Sequence, residues 1–199
     1  MIHILAINGS YRKDGITDQA LNEIIRNVIA NGAQVEQVDL RDYPINFCLN
    51  CRECCLLPGV LPGNCVQNDG MQDLIDKIEH ADAFILASPI NFGSVTALFK
   101  RFMERLTVYA YWPWEMNYPR YRKDPLVIKK KAIIITSCAA PGIFGRLFYS
   151  SHKQLKMTAR IIGAKTVGGL YTGLIADKPH PDLPKRSRQK AQALARKLL

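Results

Sequence analysis

Apolar residues fall into five short runs, separated by stretches in which apolar positions return every three or four residues. Ile2–Ile7, Ala83–Ala87 and Ala132–Thr136 are nearly continuous, the pattern of strands covered on both faces. Val35–Leu40 and Thr166–Tyr171 read as two further strands. Between the first two runs, Ala20, Leu21, Ile24, Ile25, Val28 and Ile29 follow helical spacing. Thr17 or Asp18 can cap that helix, and Asn31-Gly32 can end it. Met71–His80 is a helix with Leu74, Ile75 and Ile78 on one face. Helices also follow over Ser94–Leu106 and Arg146–Ile162. A Pro-rich connection, Lys178–Pro184, leads to a basic helix ending at Leu199.

Strands that alternate with helices imply an α/β fold: a doubly wound five-stranded parallel sheet with helices on both faces. Right-handed crossovers favour the strand order 2-1-3-4-5. In such a sheet, ligands bind beyond the carboxyl ends of the strands where the order reverses, between strands one and three. The length suits one domain over 1–199. A cysteine-rich loop at 48–65 and an aromatic and basic insertion at 109–131 interrupt the alternation.

Charge divides the chain. Residues 1–99 hold 6 Lys/Arg and 12 Asp/Glu, and residues 100–199 hold 21 and 5, within a net charge of +10. The basic half suits an anionic cofactor or substrate, an acidic protein partner, nucleic acid or a plain solvated surface. The opening residues lack the pattern of a signal segment, and no run has transmembrane length, so a cytoplasmic location and no membrane partner are expected.

Two loops carry candidate chemistry. Asn8-Gly9-Ser10-Tyr11-Arg12-Lys13-Asp14-Gly15-Ile16-Thr17 joins the first strand to the first helix. A helix amino end supplies backbone donors for a phosphate, Ser10 and Thr17 supply hydroxyls, and Arg12 adds a cation. The loop matches neither the Walker pattern nor G-x-G-x-x-G, which argues against an NTPase and a dinucleotide-binding Rossmann domain. Ser88 to Lys100 follows the third strand, and a flat heteroaromatic ring could lie along its backbone. Each loop taken alone also suits an ordinary capped turn.

Together, N-G-S-x-R-x-x-G-x-T and S-P-x-x-x-G-S-V-T-A-x-x-K make the sequence similar to the flavodoxin-like NADPH-dependent FMN reductase family. The resemblance implies an FMN phosphate held by Ser10, Arg12 and Thr17, with backbone help from Gly15 and Ile16. It implies an isoalloxazine ring resting on Pro89, Ile90, Asn91, Phe92, Gly93 and Ser94. The third wall would come from the loop Ser137–Gly142, with Ser137, Ala139 and Gly142 as contacts. Ile16 and Asn91 depart from the family's frequent Asn and Tyr.

Five of the six cysteines lie between Cys48 and Cys65. Cys48, Cys51 and Cys54 stand at two-residue gaps that suit the corners of a cubane cluster. Zinc and reduced thiols are the alternatives, although structural zinc favours two separated pairs. The run resembles the iron–sulfur flavoprotein branch of the same family, which implies Cys48, Cys51, Cys54 and Cys65 as ligands of a 4Fe–4S cluster. The last gap is longer here, with Leu56 to Gly63 inserted, but loop closure costs grow only logarithmically. Cys55 and Cys138 are expected to be spared.

Six of the 17 aromatic residues fall within 109–121. A packed hairpin or dimer contact ranks first for this segment, a stacking lid second and nucleic acid last. His3, His80, His152 and His180 show no ligand spacing, and no residue is assigned as acid or base. The resulting expectation is an FMN-dependent oxidoreductase, a homo-oligomer (dimer or tetramer). It would use NAD(P)H or a ferredoxin-like donor to reduce a small acceptor such as a quinone, flavin, nitro or azo compound. The alternative is a non-enzymatic flavodoxin-like binding or electron-carrier module.

Overall fold

The computed structural model describes residues 1–123, 129–141, 148–174 and 179–199. Its sheet holds β1 (His3–Asn8), β2 (Gln34–Asp39), β3 (Ala83–Asn91), β7 (Lys130–Ser137) and β8 (Ala164–Thr172). These pair in parallel in the order β2-β1-β3-β7-β8, the 2-1-3-4-5 arrangement of the five main strands. A short β4 (Ser94–Val95) folds back antiparallel onto the end of β3.

Side chains alternate across each strand, and the core divides accordingly. Phe84 and Leu86 point to one face with Leu5, Ile7 and Ile134. There they meet α2 (Met71–His80), α3 (Ala97–Arg105) and α4 (Ser151–Ile161). Ala83, Ile85 and Ala87 point to the other face with Ile4, Ala6 and Ile133. There they meet α1 (Ile16–Ala30) and α5 (Lys185–Leu198). The two-sided burial explains why β1, β3 and β7 read as unbroken apolar runs.

Several boundaries differ from the sequence reading, and β3 runs on to Asn91, four residues past the expected end at Ala87. The α1 N-cap is Gly15, not Thr17 or Asp18, and no side chain caps the helix. Asp18 is drawn elsewhere: its carboxylate accepts from the Asn8 side chain at 2.9 Å and the Asp14 N–H at 3.1 Å. α3 starts at Ala97, not Ser94, because Ser94 is used in β4 and Thr96 is the cap, its side chain accepting from the Phe99 N–H at 3.2 Å. The fourth helix is described from Ser151, and residues 146 and 147 of its expected start lie outside the described residues.

Register brings the ends of three strands together. Asn8 lies beside Ala87, and Pro89 lies beside Ser137. The loops after β1, β3 and β7 therefore open at one edge of the sheet, where the strand order reverses.

Candidate functional site

A cleft of about 420 Å³ lies at this edge. Ser10, Arg12, Gly15, Ile16 and Thr17 form its wall from the β1 loop and the start of α1. Pro89 and Asn91 face them from β3, and Ser137 comes from the end of β7. Eight of the residues expected from sequence thus share one cavity.

A buried polar network fixes the first loop. The fully buried Asn8 donates through Nδ2 to Asp18 at 2.9 Å and to Asp39 at 2.7 Å, and its Oδ1 accepts from the Ser10 N–H at 3.0 Å. Arg41 donates to the Ser10 carbonyl at 3.2 Å and pairs with Asp18 and Asp39 at 3.5 and 3.3 Å. The backbone of Ser10 is therefore held at both its N–H and its carbonyl. Gly9 is required by close approach: a Cβ there would stand 2.8 Å from the Cβ of Phe99 on α3.

These residues fit a phosphorylated cofactor. A helix leaves its first N–H groups without intrahelical partners and carries a positive pole there. Those of α1 have no side-chain cap and adjoin the cleft at Gly15, Ile16 and Thr17. The Arg12 guanidinium donates to the Pro179 carbonyl, and Pro181 completes the wall of the cleft. The Gln19 side chain pins that C-terminal strap, donating to the Pro181 carbonyl at 3.0 Å and accepting from the Leu183 N–H at 2.8 Å.

Other expected contacts fall outside the cleft. Ser94 donates to Gln154 Oε1 at 2.9 Å and is turned away. Ile90 pairs with Val95 in the β3–β4 hairpin. Phe92 projects fully into solvent from a left-handed backbone, φ +47°. The Gly93 carbonyl accepts from the Ser150 N–H at 2.8 Å. Ala139 is exposed beyond the cleft, and Gly142 lies outside the described residues. Cys138 is buried, which pushes its thiol up, and its Sγ donates to the Ala140 carbonyl at 3.1 Å.

Thr96, Ala97 and Leu98 also line the cleft, beyond the contacts that the resemblance implies. Thr96 Oγ1 donates to the Gly9 carbonyl at 2.6 Å while accepting from Phe99, so one hydroxyl joins the β1 loop to the start of α3. A threonine three residues before the N–H it receives is a readable cap pattern. Pro181, distant in sequence, left no such sign.

The cysteine loop is clasped at its base. Arg105, fully buried, donates to both carboxylate oxygens of Asp69 at 2.6 and 3.0 Å, to the Asn46 carbonyl at 3.0 Å and to the Cys65 sulfur at 3.4 Å. Burial opposes the charged Asp69, but the Arg105 guanidinium and the N–H groups of Asn46 and Met71 outweigh it. They hold the carboxyl below its usual range. The loop also meets the aromatic segment. That segment carries the small hairpin of β5 (Ala110–Tyr111) and β6 (Arg120–Tyr121). The Arg52 guanidinium lies 3.6 Å from the Trp112 ring centre and 4.5 Å from that of Trp114. The segment packs on the cysteine loop, and none of its described residues lines the cleft at the β1 and β3 ends.

The thiols expected as ligands are not gathered. Among the described residues, no three Cys, His, Asp or Glu side chains form a group able to hold a metal. Cys51 is exposed, Cys65 is engaged by Arg105, and Cys54 contacts Cys55 with the sulfurs 3.7 Å apart. Their shared bond sets that pair apart: Cys55 is held lower, aided by Arg122 and Arg52, and Cys54 is held higher. As they stand, Cys48, Cys51, Cys54 and Cys65 do not fit a four-iron cluster.

Fold and cleft define a flavodoxin-like α/β protein with an open cleft at the β1/β3 switch point. The sequence profile of the NADPH-dependent FMN reductase family matches residues 2–174, and the chain belongs to that family. An iron-sulfur flavoprotein of Archaeoglobus fulgidus is 36% identical over 109 residues, covering 55% of this chain and 47% of the relative. One from Clostridioides difficile is 32% identical over 105 residues, covering 51% and 44%. The chain spans about half the length of the curated relatives it matches. Among solved structures, an FMN-dependent NADH-azoreductase of Bacillus anthracis in complex with FMN shares the fold. Its TM-score is 0.68, at 13% identity over 100% of this chain and 99% of the other. An NAD(P)H:quinone oxidoreductase of Methanothermobacter marburgensis has a TM-score of 0.67, at 15% identity over 98% and 96%.

Proposed function

We propose that the chain binds FMN in the cleft at the β1, β3 and β7 ends and acts as an oxidoreductase. NAD(P)H or a ferredoxin-like protein would be the donor, and a small quinone, flavin, nitro or azo compound the acceptor. One observation carries the reading: Ser10, Arg12, Thr17 and the uncapped start of α1 stand across a single cleft from Pro89 and Asn91. When bound, FMN supplies the exchange of electrons between donor and acceptor.

The residues have separable tasks. Ser10, Thr17 and the first N–H groups of α1 bind the phosphate, and Arg12 supplies opposite charge. Asn8 and Arg41 hold the loop in the binding shape before the ligand arrives. Pro89 and Asn91 orient the ring and cover one side of it against water. No side chain here is assigned a proton transfer.

Support for a protein donor is electrostatic. The described part of the basic half exposes Lys185, Arg186, Lys190, Arg196 and Lys197 along α5, a face suited to an acidic partner. Solved neighbours named as azoreductase and quinone oxidoreductase support small acceptors. The exposed Tyr11 at the cleft and the exposed Phe92 beyond it leave apolar surface that favours a dimer or larger homo-oligomer.

A second reading adds a 4Fe–4S cluster on Cys48, Cys51, Cys54 and Cys65. The cysteine spacing and the name of the iron-sulfur flavoprotein relatives support it; the present thiol arrangement does not. Anaerobic purification with an absorbance spectrum and analysis of iron, sulfide and FMN tests both readings. The flavin reading expects about one FMN per chain after addition of the cofactor, and oxidation of NADH or NADPH that depends on it. A colourless protein that takes up no FMN would contradict it. Sulfide and iron near four per chain would establish the cluster, and their absence would remove it.

A further inference from the structure

Cys54 and Cys55 close the short 3-10 turn Glu53–Cys55 with their sulfurs 3.7 Å apart. Cys55 is fully buried, and its Sγ donates to the Thr107 carbonyl at 3.4 Å. Cys54 is half-buried and lines a second cleft of about 470 Å³, separate from the flavin-type cleft. The apolar insertion walls that cleft with Leu57, Val60 and Leu61, and Arg122 stands at its side.

The backbone of the pair is built in place. Arg122, buried, donates to the Cys54 carbonyl at 3.1 Å and the Gly59 carbonyl at 3.2 Å. The Trp112 N–H donates to the Cys55 carbonyl at 2.8 Å. Gly63 lies so close that a Cβ there would fall 1.8 Å from the Cys54 carbonyl oxygen.

We propose that Cys54 and Cys55 form a dithiol site that exchanges with small disulfides entering this second cleft. This use of the loop competes with cluster ligation for Cys54 and does not depend on the flavin reading. Access sets the order of events. The Cys54 sulfur attacks one sulfur of the small disulfide. That S–S bond breaks, a mixed disulfide forms on Cys54, and the Cys54 proton leaves with the first thiol product. The Cys55 sulfur then attacks Cys54, the mixed disulfide breaks, and the Cys55 proton leaves with the second thiol product. The chain gives up two electrons and two protons, and the small disulfide takes both.

The product bond would be reversible. Adjacent Cα atoms are about 3.8 Å apart, less than the roughly 4.4–6.8 Å that disulfides usually span. Such a bond is strained and easily reduced, the property of a labile site and not of a structural one. Closing it must also turn the backbone that Trp112 holds. Trp112 and Trp114, stacked on Arg52 next to the pair, are the only tryptophans in the chain and stand where they can report the change.

The test uses the protein as purified, assayed for iron and sulfide, and then incubated at mildly alkaline pH with a large excess of glutathione disulfide, which drives exchange even to a strained bond. Free thiols are alkylated, and the intact mass and the tryptic peptide 53–77 are read. The native chain and Cys65→Ser should each lose two alkylatable thiols without an adduct, with the bond mapped to Cys54–Cys55. Cys55→Ala, or Cys55→Ser if the first fails to fold, should trap one glutathione on Cys54. Cys54→Ala should form neither adduct nor bond within 53–55. Tryptophan emission should shift on oxidation of the native chain and stay constant in Cys54→Ala. An unreacted native chain, loss of the bond in Cys65→Ser, no adduct in the Cys55 variants or a full cluster ligated by Cys54 would each overturn the proposal. The readout needs no flavin, so either proposal can fail while the other stands.

Discussion

Thr17 Oγ1 and Ser137 Oγ, 120 positions apart in sequence, meet at 2.6 Å beside the candidate flavin cleft. Both residues are buried, and the contact ties the first turn of α1 to the end of β7. Two walls of the cleft are thereby locked to each other before any ligand binds.

Thr17→Val should expose the value of that lock. The branched shape is kept, but the Ser137 hydroxyl loses its partner inside the protein. An orphaned buried polar group of this kind costs about 1–3 kcal/mol. The urea unfolding midpoint should fall, with an unchanged slope, while Thr17→Ser should stay near the native value.

Thr96→Val should also destabilise, through a different bond. It removes the α3 cap, worth about 1 kcal/mol, and the bond to the Gly9 carbonyl. Because that bond joins the two loops, hydrogen exchange at residues 9–12 should quicken in Thr96→Val more than in Thr96→Ser.

The Arg105–Asp69 clasp predicts an acid-sensitive loop. The folded Asp69 carboxyl is held below its usual range, which is about 3.9 in a free chain. Its stabilising share is therefore complete above that value and is lost as pH falls through the lower, folded value. Asp69→Asn should remove this part of the acid dependence in a pH series of urea midpoints. Arg105→Met, which leaves Asp69 buried without its cation, should cost about 3–5 kcal/mol at neutral pH.

Arg52→Lys tests the join between the cysteine loop and the aromatic segment. Lysine keeps the charge but loses the flat guanidinium that fits between two rings. The bond from Arg52 to the Trp112 carbonyl, 3.2 Å long, would be lost as well. Limited proteolysis should cut residues 48–65 faster, and tryptophan emission should move to longer wavelength.

Much of the fold was legible because the sheet buries both faces. Phe84 to Ala87 could be read as a strand whatever its partners, and the meeting of the Ser10–Thr17 loop with Pro89 and Asn91 followed from the strand order, although Pro89–Asn91 belongs to β3 itself and not to a loop. What escaped depended on partners far along the chain. The spacing that puts Ser94 along the ring says nothing of Gln154, 60 positions away, which takes its hydroxyl. Asp18 looked like a cap, yet Asn8 and Arg41 hold it in the network under Ser10. Local spacing suited Cys48, Cys51 and Cys54 to one centre, but Cys54 turned toward Cys55, and Arg105 took Cys65. Spacing along the chain set no direction for the sulfurs.

The most direct test of the flavin site is a titration of the native chain and Arg12→Ala with FMN and with riboflavin, followed by flavin fluorescence. A charge-assisted contact to the phosphate contributes about 1.5–3 kcal/mol, and each 1.4 kcal/mol is about tenfold in affinity. The native chain should bind FMN, and Arg12→Ala should bind it roughly ten- to a hundredfold more weakly. Riboflavin, which lacks the phosphate, should bind both proteins alike. Equal losses for the two flavins, or no FMN binding by the native chain, would contradict the assignment of this cleft.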